Sequence, residues 1–147
     1  MNFEVIPFLS LNGRAAEAIA FYEEALQAKT LLKVTYEQMK SMDPDFAIPP
    51  GREQWITHSV LQIGANKLMV AEEPADAPEP WRDGNAFSLC IQSRSAADIE
   101  ALYAAVTRHP ESSVVTPLAP NSFSAGFAIV RDPFGVILQF VVTRHDF

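Results

Sequence analysis

The sequence predicts an α+β protein made of two paired βαβββ modules, and three observations predict it. Two stretches of helical periodicity, each preceded by one apolar strand-like run and followed by three more, recur in the same order at a spacing of about 80 residues, without visible sequence identity. A proline-rich acidic stretch with Pro74, Pro78 and Pro80 lies between the two sets and suits a linker. The final apolar run, Val136 to Val142, follows Asp132-Pro-Phe-Gly135, a turn signal that makes it the second arm of a hairpin. We therefore read one domain over 1–147, with module one at 1–73, a linker at 74–85 and module two at 86–147. Each helix covers one face of its own sheet, so the other faces are expected to curl together around a shared, partly polar groove.

In order, Phe3 to Leu11 reads as a strand, and Asn12-Gly13 ends it, with Asn12 as N-cap of the next element. Ala15, Ala18, Ile19, Tyr22, Ala25 and Leu26 then recur at three and four, the apolar stripe of a helix. Thr30 to Tyr36 is a second strand, rich in β-branched and aliphatic residues. Glu37 to Gln54 holds Pro44, Pro49, Pro50 and Gly51 without sustained periodicity and reads as a long loop. Trp55 to Ile63 and Lys67 to Ala71 are strands joined through Gly64-Ala65-Asn66, a hairpin-length connection.

In the second module Ala86 to Gln92 is a strand, and Ser95 with Asp98 three residues later opens a helix whose stripe is Ile99, Leu102, Tyr103 and Val106. Arg108-His109-Pro110 ends it, so His109 reads as a cap and not as a ligand. Val114 to Leu118 is a short strand, 119–125 a loop, and Gly126 to Val130 the first arm of the final hairpin. The second arm is so uniformly apolar that both of its faces are expected to be covered. Gln139 is its one polar side chain, and it is either satisfied internally or faces a ligand site.

Composition excludes several classes of function. The chain has 147 residues, 48% of them hydrophobic, which supports a real core and argues against disorder. A formal charge of −7, with scattered Lys and Arg, disfavours nucleic acid as a partner. No apolar run reaches membrane-spanning length and the N-terminus lacks the features of a signal peptide, so a cytoplasmic protein with no membrane partner is expected. Cys90 is the single cysteine, which rules out an intrachain disulfide or a cysteine-based zinc cluster, and its apolar surroundings suggest a buried structural thiol.

Five segments together carry a family resemblance: Pro7-Phe-Leu-Ser-Leu-Asn-Gly13, Glu17-Ala-Ile-Ala-Phe-Tyr22, His58-Ser-Val-Leu-Gln-Ile-Gly64, Leu68-Met-Val70 and Arg131-Asp-Pro-Phe-Gly135. In order and spacing they resemble the vicinal oxygen chelate superfamily, which includes glyoxalase I, extradiol dioxygenases and the bleomycin and fosfomycin resistance proteins, and within it the PhnB-like group. The resemblance implies a glyoxalase-like curved sheet groove and a homodimer. Enzymes of this superfamily hold a divalent metal with His, Glu or Gln on inward strand positions of both modules. Matching that pattern places Ile6, Met69, Ala86 and Gln139 at the four positions, of which only Gln139 could coordinate. One amide oxygen cannot compete with water for such a cation, so neither a metal nor another cofactor is expected. A shift of register by two residues brings in no three-ligand cluster either.

His58 remains a candidate for ligand contact or proton transfer, because the PhnB-like pattern also has His before the Gly-closed hairpin and neutral imidazole both donates and accepts. A strand histidine bonded to backbone is the other reading. Phe123 and Phe127 match positions where that pattern shows Trp and Tyr, implying pocket walls, although core packing is the commoner role for Phe. Trp81 either closes a pocket mouth or packs at a subunit contact. Some PhnB-like sequences carry a ubiquinone methyltransferase label, but this chain has no Gly-rich strand-to-helix turn for S-adenosylmethionine. The reading is a metal-independent small-molecule-binding protein, with His58, Gln139, Phe123 and Phe127 as ligand contacts. The alternative is a lyase, isomerase or dioxygenase using a divalent metal.

Overall fold

The computed structural model describes residues 1–145, and the chain divides into two compact units, Met1–Trp81 and the part from Arg82 onward. The first unit runs β1 (Phe8–Leu11), α1 (Ala15–Ala25), β2 (Lys29–Thr35), α2 (Tyr36–Met42), β3 (Ile56–Ile63) and β4 (Asn66–Glu72). Its sheet has the order β1-β4-β3-β2, with β1 parallel to β4 and the other pairs antiparallel. The second unit runs β5 (Leu89–Ser93), α3 (Ala96–Thr107), β6 (Ser113–Ala119), β7 (Gly126–Arg131) and β8 (Ile137–Val142). Its order, β5-β8-β7-β6, again places the parallel pair first. The expected α+β architecture of two repeated modules is thus present, and the repeat lies in strand order and direction. Among the described residues no helix is long and apolar enough to cross a membrane.

Each sheet buries the face beneath its helix. The predicted α1 stripe is buried throughout, with Ala15, Ala18, Ile19 and Tyr22 almost wholly removed from solvent. Ile19 alone contributes about 1.5–3 kcal/mol by that burial. From the strands, Leu61, Leu68 and Val70 complete this core. In the second unit Ile99 and Val106 of α3 are buried, as are Ala128, Val130, Leu138 and Phe140 of the sheet, and the Tyr103 ring meets Phe140 edge-on at 5.7 Å. The two-residue period of a strand leaves Ile137, Gln139 and Val141 on the opposite side, where they are half-buried. The expectation that both faces of β8 are covered is therefore corrected: one helix per sheet covers one face, and the apolar residues of the other remain partly accessible.

Three further expectations change. Residues 3–7 are not strand: the register with β4 runs only from Phe8 to Leu11, and ahead of it Pro7 O accepts the Met69 N–H at 3.0 Å. Tyr36, expected to end the second strand, and residues 37–42, expected to be loop, form α2. Thr35 Oγ1 accepts the Gln38 N–H at 3.1 Å and Gln38 Oε1 accepts the Thr35 N–H at 2.9 Å, a reciprocal cap that starts a short helix ahead of the prolines. The helix is then anchored by Tyr36, buried between the Phe46 and Trp55 rings. Burial raises the Tyr36 phenol above its ordinary pKa, the Glu72 carboxylate adds to the rise, and the Arg52 guanidinium opposes it. Strand β5 starts at Leu89 and not at Ala86, leaving Phe87 exposed.

Asn12 is not the cap of α1. The N-cap position is Arg14, which makes no capping bond, and the work falls to Glu72 at the end of β4. Glu72 is 5% exposed; its Oε1 accepts Gly13 N–H at 2.9 Å and Ala15 N–H at 3.1 Å, while Oε2 accepts Ile56 N–H at 3.0 Å. A carboxylate here satisfies donors at the first turn of α1 and lies where the helix dipole favours negative charge. It also fixes Gly13, whose φ of +88° suits glycine and where a Cβ would lie 2.8 Å from the Trp55 ring. In the second unit the predicted α3 cap is present, Ser95 Oγ accepting the Asp98 N–H at 3.2 Å. His109 Nδ1 accepts the Glu111 N–H at 3.1 Å, so its ring caps the turn after the helix. The final hairpin turns through Asp132–Gly135, with Gly135 N–H on Asp132 O at 3.1 Å and Gly135 at φ +86°. The buried Asp132 carboxylate accepts Phe134 and Val136 N–H at 2.9 and 3.0 Å.

Replacing Glu72 by Ala leaves three backbone donors without this partner and is expected to cost on the order of 3 kcal/mol. Glu72→Gln should cost less, because the amide oxygen can still accept at one of the two oxygen positions. Urea unfolding measures both, and a loss below about 1 kcal/mol for Glu72→Ala would show that water replaces the carboxylate freely.

Candidate functional site

The open face of the second sheet gathers most of the residues singled out from sequence. Gln139 on β8 lies opposite Cys90 on β5 and Ile129 on β7. Opposite residues on neighbouring strands point the same way, so Cys90, Gln139 and Ile129 form one row across the sheet. Phe127, opposite Val141, and Arg131, opposite Ile137, flank the row on β7. Gln139 Nε2 donates to Ser88 Oγ at 3.0 Å, which orients the amide along the surface. Its polar group is therefore both locally bonded and on an accessible face, so the two sequence readings of Gln139 are compatible.

Phe127 is half-buried, and the Phe123 ring meets it edge-on at 5.4 Å. Phe123 is 57% exposed, held on a loop that Asn121 organises: its Oδ1 accepts Phe123 N–H at 3.1 Å, Ser124 N–H at 2.9 Å and the Ser124 hydroxyl at 2.8 Å. Gln139, Phe127 and Phe123 are thus contributed by neighbouring parts of one unit. Arg131 donates from Nη1 to Gly135 O at 2.9 Å, which directs its guanidinium along the turn and leaves further N–H groups on the fork. Neither Cys90, Ser88 nor Arg131 was singled out as a contact from sequence.

Cys90 is exposed, which corrects the expectation of a buried thiol. The reason is strand parity: its half-buried neighbours Leu89 and Ile91 point to the helix side, so Cys90 points away from it. Partial desolvation against the sheet nevertheless raises the thiol above its ordinary pKa. That pairing of exposure with a raised pKa describes an accessible but weakly nucleophilic group.

His58 belongs to the first unit. It lies on β3 opposite Val34, and because Ser59 and Leu61 are buried on the helix side, His58, Val60 and Gln62 share the open face. The His58 imidazole makes no hydrogen bond within the described residues, so the reading of a strand histidine bonded to backbone does not hold. Val60 lies opposite Met69, and Met69 opposite Phe8, giving this face an apolar row.

The same registers test the positions matched to a metal site. Ile6 and Ala86 lie before their strands; the residues opposite Met69 and Gln139 are Phe8 and Cys90, displacements of two and four positions. Neither Phe8 and Met69 in the first unit nor Cys90 and Gln139 in the second supply an imidazole or a carboxylate, so neither pair fits a divalent cation bound through nitrogen and carboxylate oxygen. Among the described residues no group of three His, Cys, Asp or Glu is placed to hold a metal ion.

Comparison with known proteins follows the repeat in full. The family model described as Glyoxalase/Bleomycin resistance protein/Dioxygenase superfamily matches residues 8–140. Protein YjdN of Escherichia coli (strain K12) is 24% identical over 145 residues, 95% of each chain. Among solved structures, protein PA1353 from Pseudomonas aeruginosa is similar at a TM-score of 0.78 and 24% identity, covering 95% of this chain and 97% of that one. The PhnB protein from Bacillus cereus is similar at a TM-score of 0.72 and 21% identity, covering 95% and 98%.

The state of Cys90 is open to direct test. A thiol reagent should modify one cysteine per native chain, at a rate that levels at higher pH than it does for a free cysteine in the same buffer, since only the thiolate attacks. Modification that requires denaturant would contradict the exposure, and a rate that levels at or below the pH seen for free cysteine would contradict the raised pKa.

Proposed function

The chain belongs to the Glyoxalase/Bleomycin resistance protein/Dioxygenase superfamily, and from that premise we propose that it binds a small, partly apolar molecule on the open face of the C-terminal sheet without help from a divalent metal. One observation carries the reading: Gln139 stands as a polar anchor in a half-buried face otherwise walled by Phe127, Ile129, Ile137 and Val141. Few placed polar groups among apolar walls is the usual make-up of a small-molecule site. Phe123 extends the wall beyond the sheet edge, and the Ser88 hydroxyl holds the Gln139 amide so that its carbonyl oxygen stays available to accept from a ligand. His58 offers a second polar anchor on the open face of its own sheet. Metal-assisted lyase, isomerase or dioxygenase chemistry would require imidazole or carboxylate donors, which neither the Phe8–Met69 pair nor the Cys90–Gln139 pair provides.

Elemental analysis of the purified protein should find well under about 0.1 equivalent of transition metal, and a chelator should leave the melting temperature unchanged. Near one equivalent of zinc, nickel, iron or manganese with a chelator-sensitive melt would overturn the proposal. For a compound found by thermal-shift screening, Gln139→Leu should weaken binding by about 1–3 kcal/mol while costing little stability. Loss of stability with affinity per folded molecule unchanged would make Gln139 structural.

The proposed assembly is a homodimer. Each sheet ends in an edge strand with exposed apolar side chains, Leu31 and Leu32 on β2 and Val114 and Val115 on β6, which a two-fold contact would cover. Light scattering at micromolar concentration should give twice the chain mass; a monomeric mass would remove any site that needs two chains.

A further inference from the structure

A cavity of about 380 Å³ lies in the first unit, lined largely by the proline-rich linker, and none of His58, Gln139, Phe123 or Phe127 lines it. Both tryptophans of the chain line it, together with Asn12, Arg52, Glu73, Pro78 and Glu79. The walls are fixed. Trp81 donates its indole N–H to Ser10 O at 2.8 Å, Glu73 donates its backbone N–H to Leu11 O at 2.7 Å, and Trp55 packs against Gly13 and Tyr36. Linker prolines limit how far the roof can collapse.

The Arg52 guanidinium carbon lies 4.2 Å from the centre of the Trp55 ring. An arginine stacked on indole keeps its N–H fork in the plane of the stack, where it can receive a carboxylate through two parallel bonds. Among the described residues that fork has no carboxylate within ion-pair distance. Glu73 and Glu79 supply the opposite charge in the same cavity, Glu79 having a further partner of its own, so a simple anion would meet repulsion as well as attraction. A molecule carrying both charges would not. The volume lies at the small end of ligand sites, enough for one amino-acid-sized molecule but not for a peptide.

We propose that this cavity binds a free α-amino acid with an apolar side chain: the carboxylate on Arg52, the ammonium on Glu73, and the side chain between Trp81 and Pro78. The site is independent of the sheet-face ligand proposed above. Because both tryptophans are in the cavity, intrinsic fluorescence reports on it directly.

The test titrates the full chain with L-phenylalanine, 3-phenylpropionate and 2-phenylethylamine, following tryptophan fluorescence and heat. Phenylalanine should saturate the signal and bind at least about tenfold more tightly than either single-charge analogue. Arg52→Leu should reduce phenylalanine affinity by about tenfold and leave 2-phenylethylamine unaffected; Glu73→Gln should spare 3-phenylpropionate and weaken the amine. Gln139→Leu should change none of these, which separates this site from the sheet face. No saturable response to any of the three compounds, equal affinity for all three, or unchanged phenylalanine binding in Arg52→Leu would overturn the proposal. Should Arg52→Leu not fold, Arg52→Lys keeps the charge without the fork, and phenylalanine binding undiminished in that variant would likewise overturn it.

Discussion

The carboxylate of Glu72 joins three stretches of the first unit that are far apart in sequence: the Gly13–Ala15 turn, the start of β3 at Ile56 and the end of β4 itself. Its position sets where α1 begins, hence which helix face meets the sheet, and it pins the residue before which Trp55 and Arg52 are presented. A buried charge of this kind is tolerable only because three backbone dipoles point at it. The second unit reaches the same strand order by a local device, the Asp132 carboxylate folded onto its own turn at Phe134 and Val136. Two modules with one topology are therefore held by different carboxylates, one long-range and one within four residues.

Once a helix is seated on one face of a four-stranded sheet, strand parity decides the rest. Leu138, Phe140 and Val142 go to the core, so Gln139 cannot; Leu89 and Ile91 face the helix side, so Cys90 cannot. The chemistry on each open face is thus a by-product of core packing, and its content is set by which residues fall on odd or even positions. On the second sheet that content is an amide, a hydroxyl, a thiol and a guanidinium among aliphatic and aromatic walls.

Much of this was legible in the sequence. The α1 stripe from Ala15 to Leu26, the Ser95 cap, the Asp132–Gly135 hairpin and the place of Gln139 on the last strand all follow from local pattern, and each is where the pattern put it. Cys90 was legible too, had the alternation Leu89, Cys90, Ile91 been weighed above average hydrophobicity. The α2 helix was announced by Thr35 and Gln38, but the prolines from Pro44 onward masked a signal only seven residues long. What no local reading could supply is Glu72, since its partners lie 16, 57 and 59 residues away. The register of β1 and β5 was also out of reach: Phe3 and Val5 read as strand by propensity, yet a strand exists only where a neighbour accepts its backbone bonds. That register decided which residues stand opposite Met69 and Gln139.

The claim on which the functional reading turns is that a ligand sits on the open face of the C-terminal sheet. Amide chemical-shift mapping of the labelled protein, titrated with a compound from the thermal-shift screen, tests it most directly. The account predicts shifts concentrated at Cys90, Phe127, Ile129 and Gln139, diminished in Gln139→Leu. Shifts confined to residues distant from β5, β7 and β8, and unaltered in that variant, would contradict it.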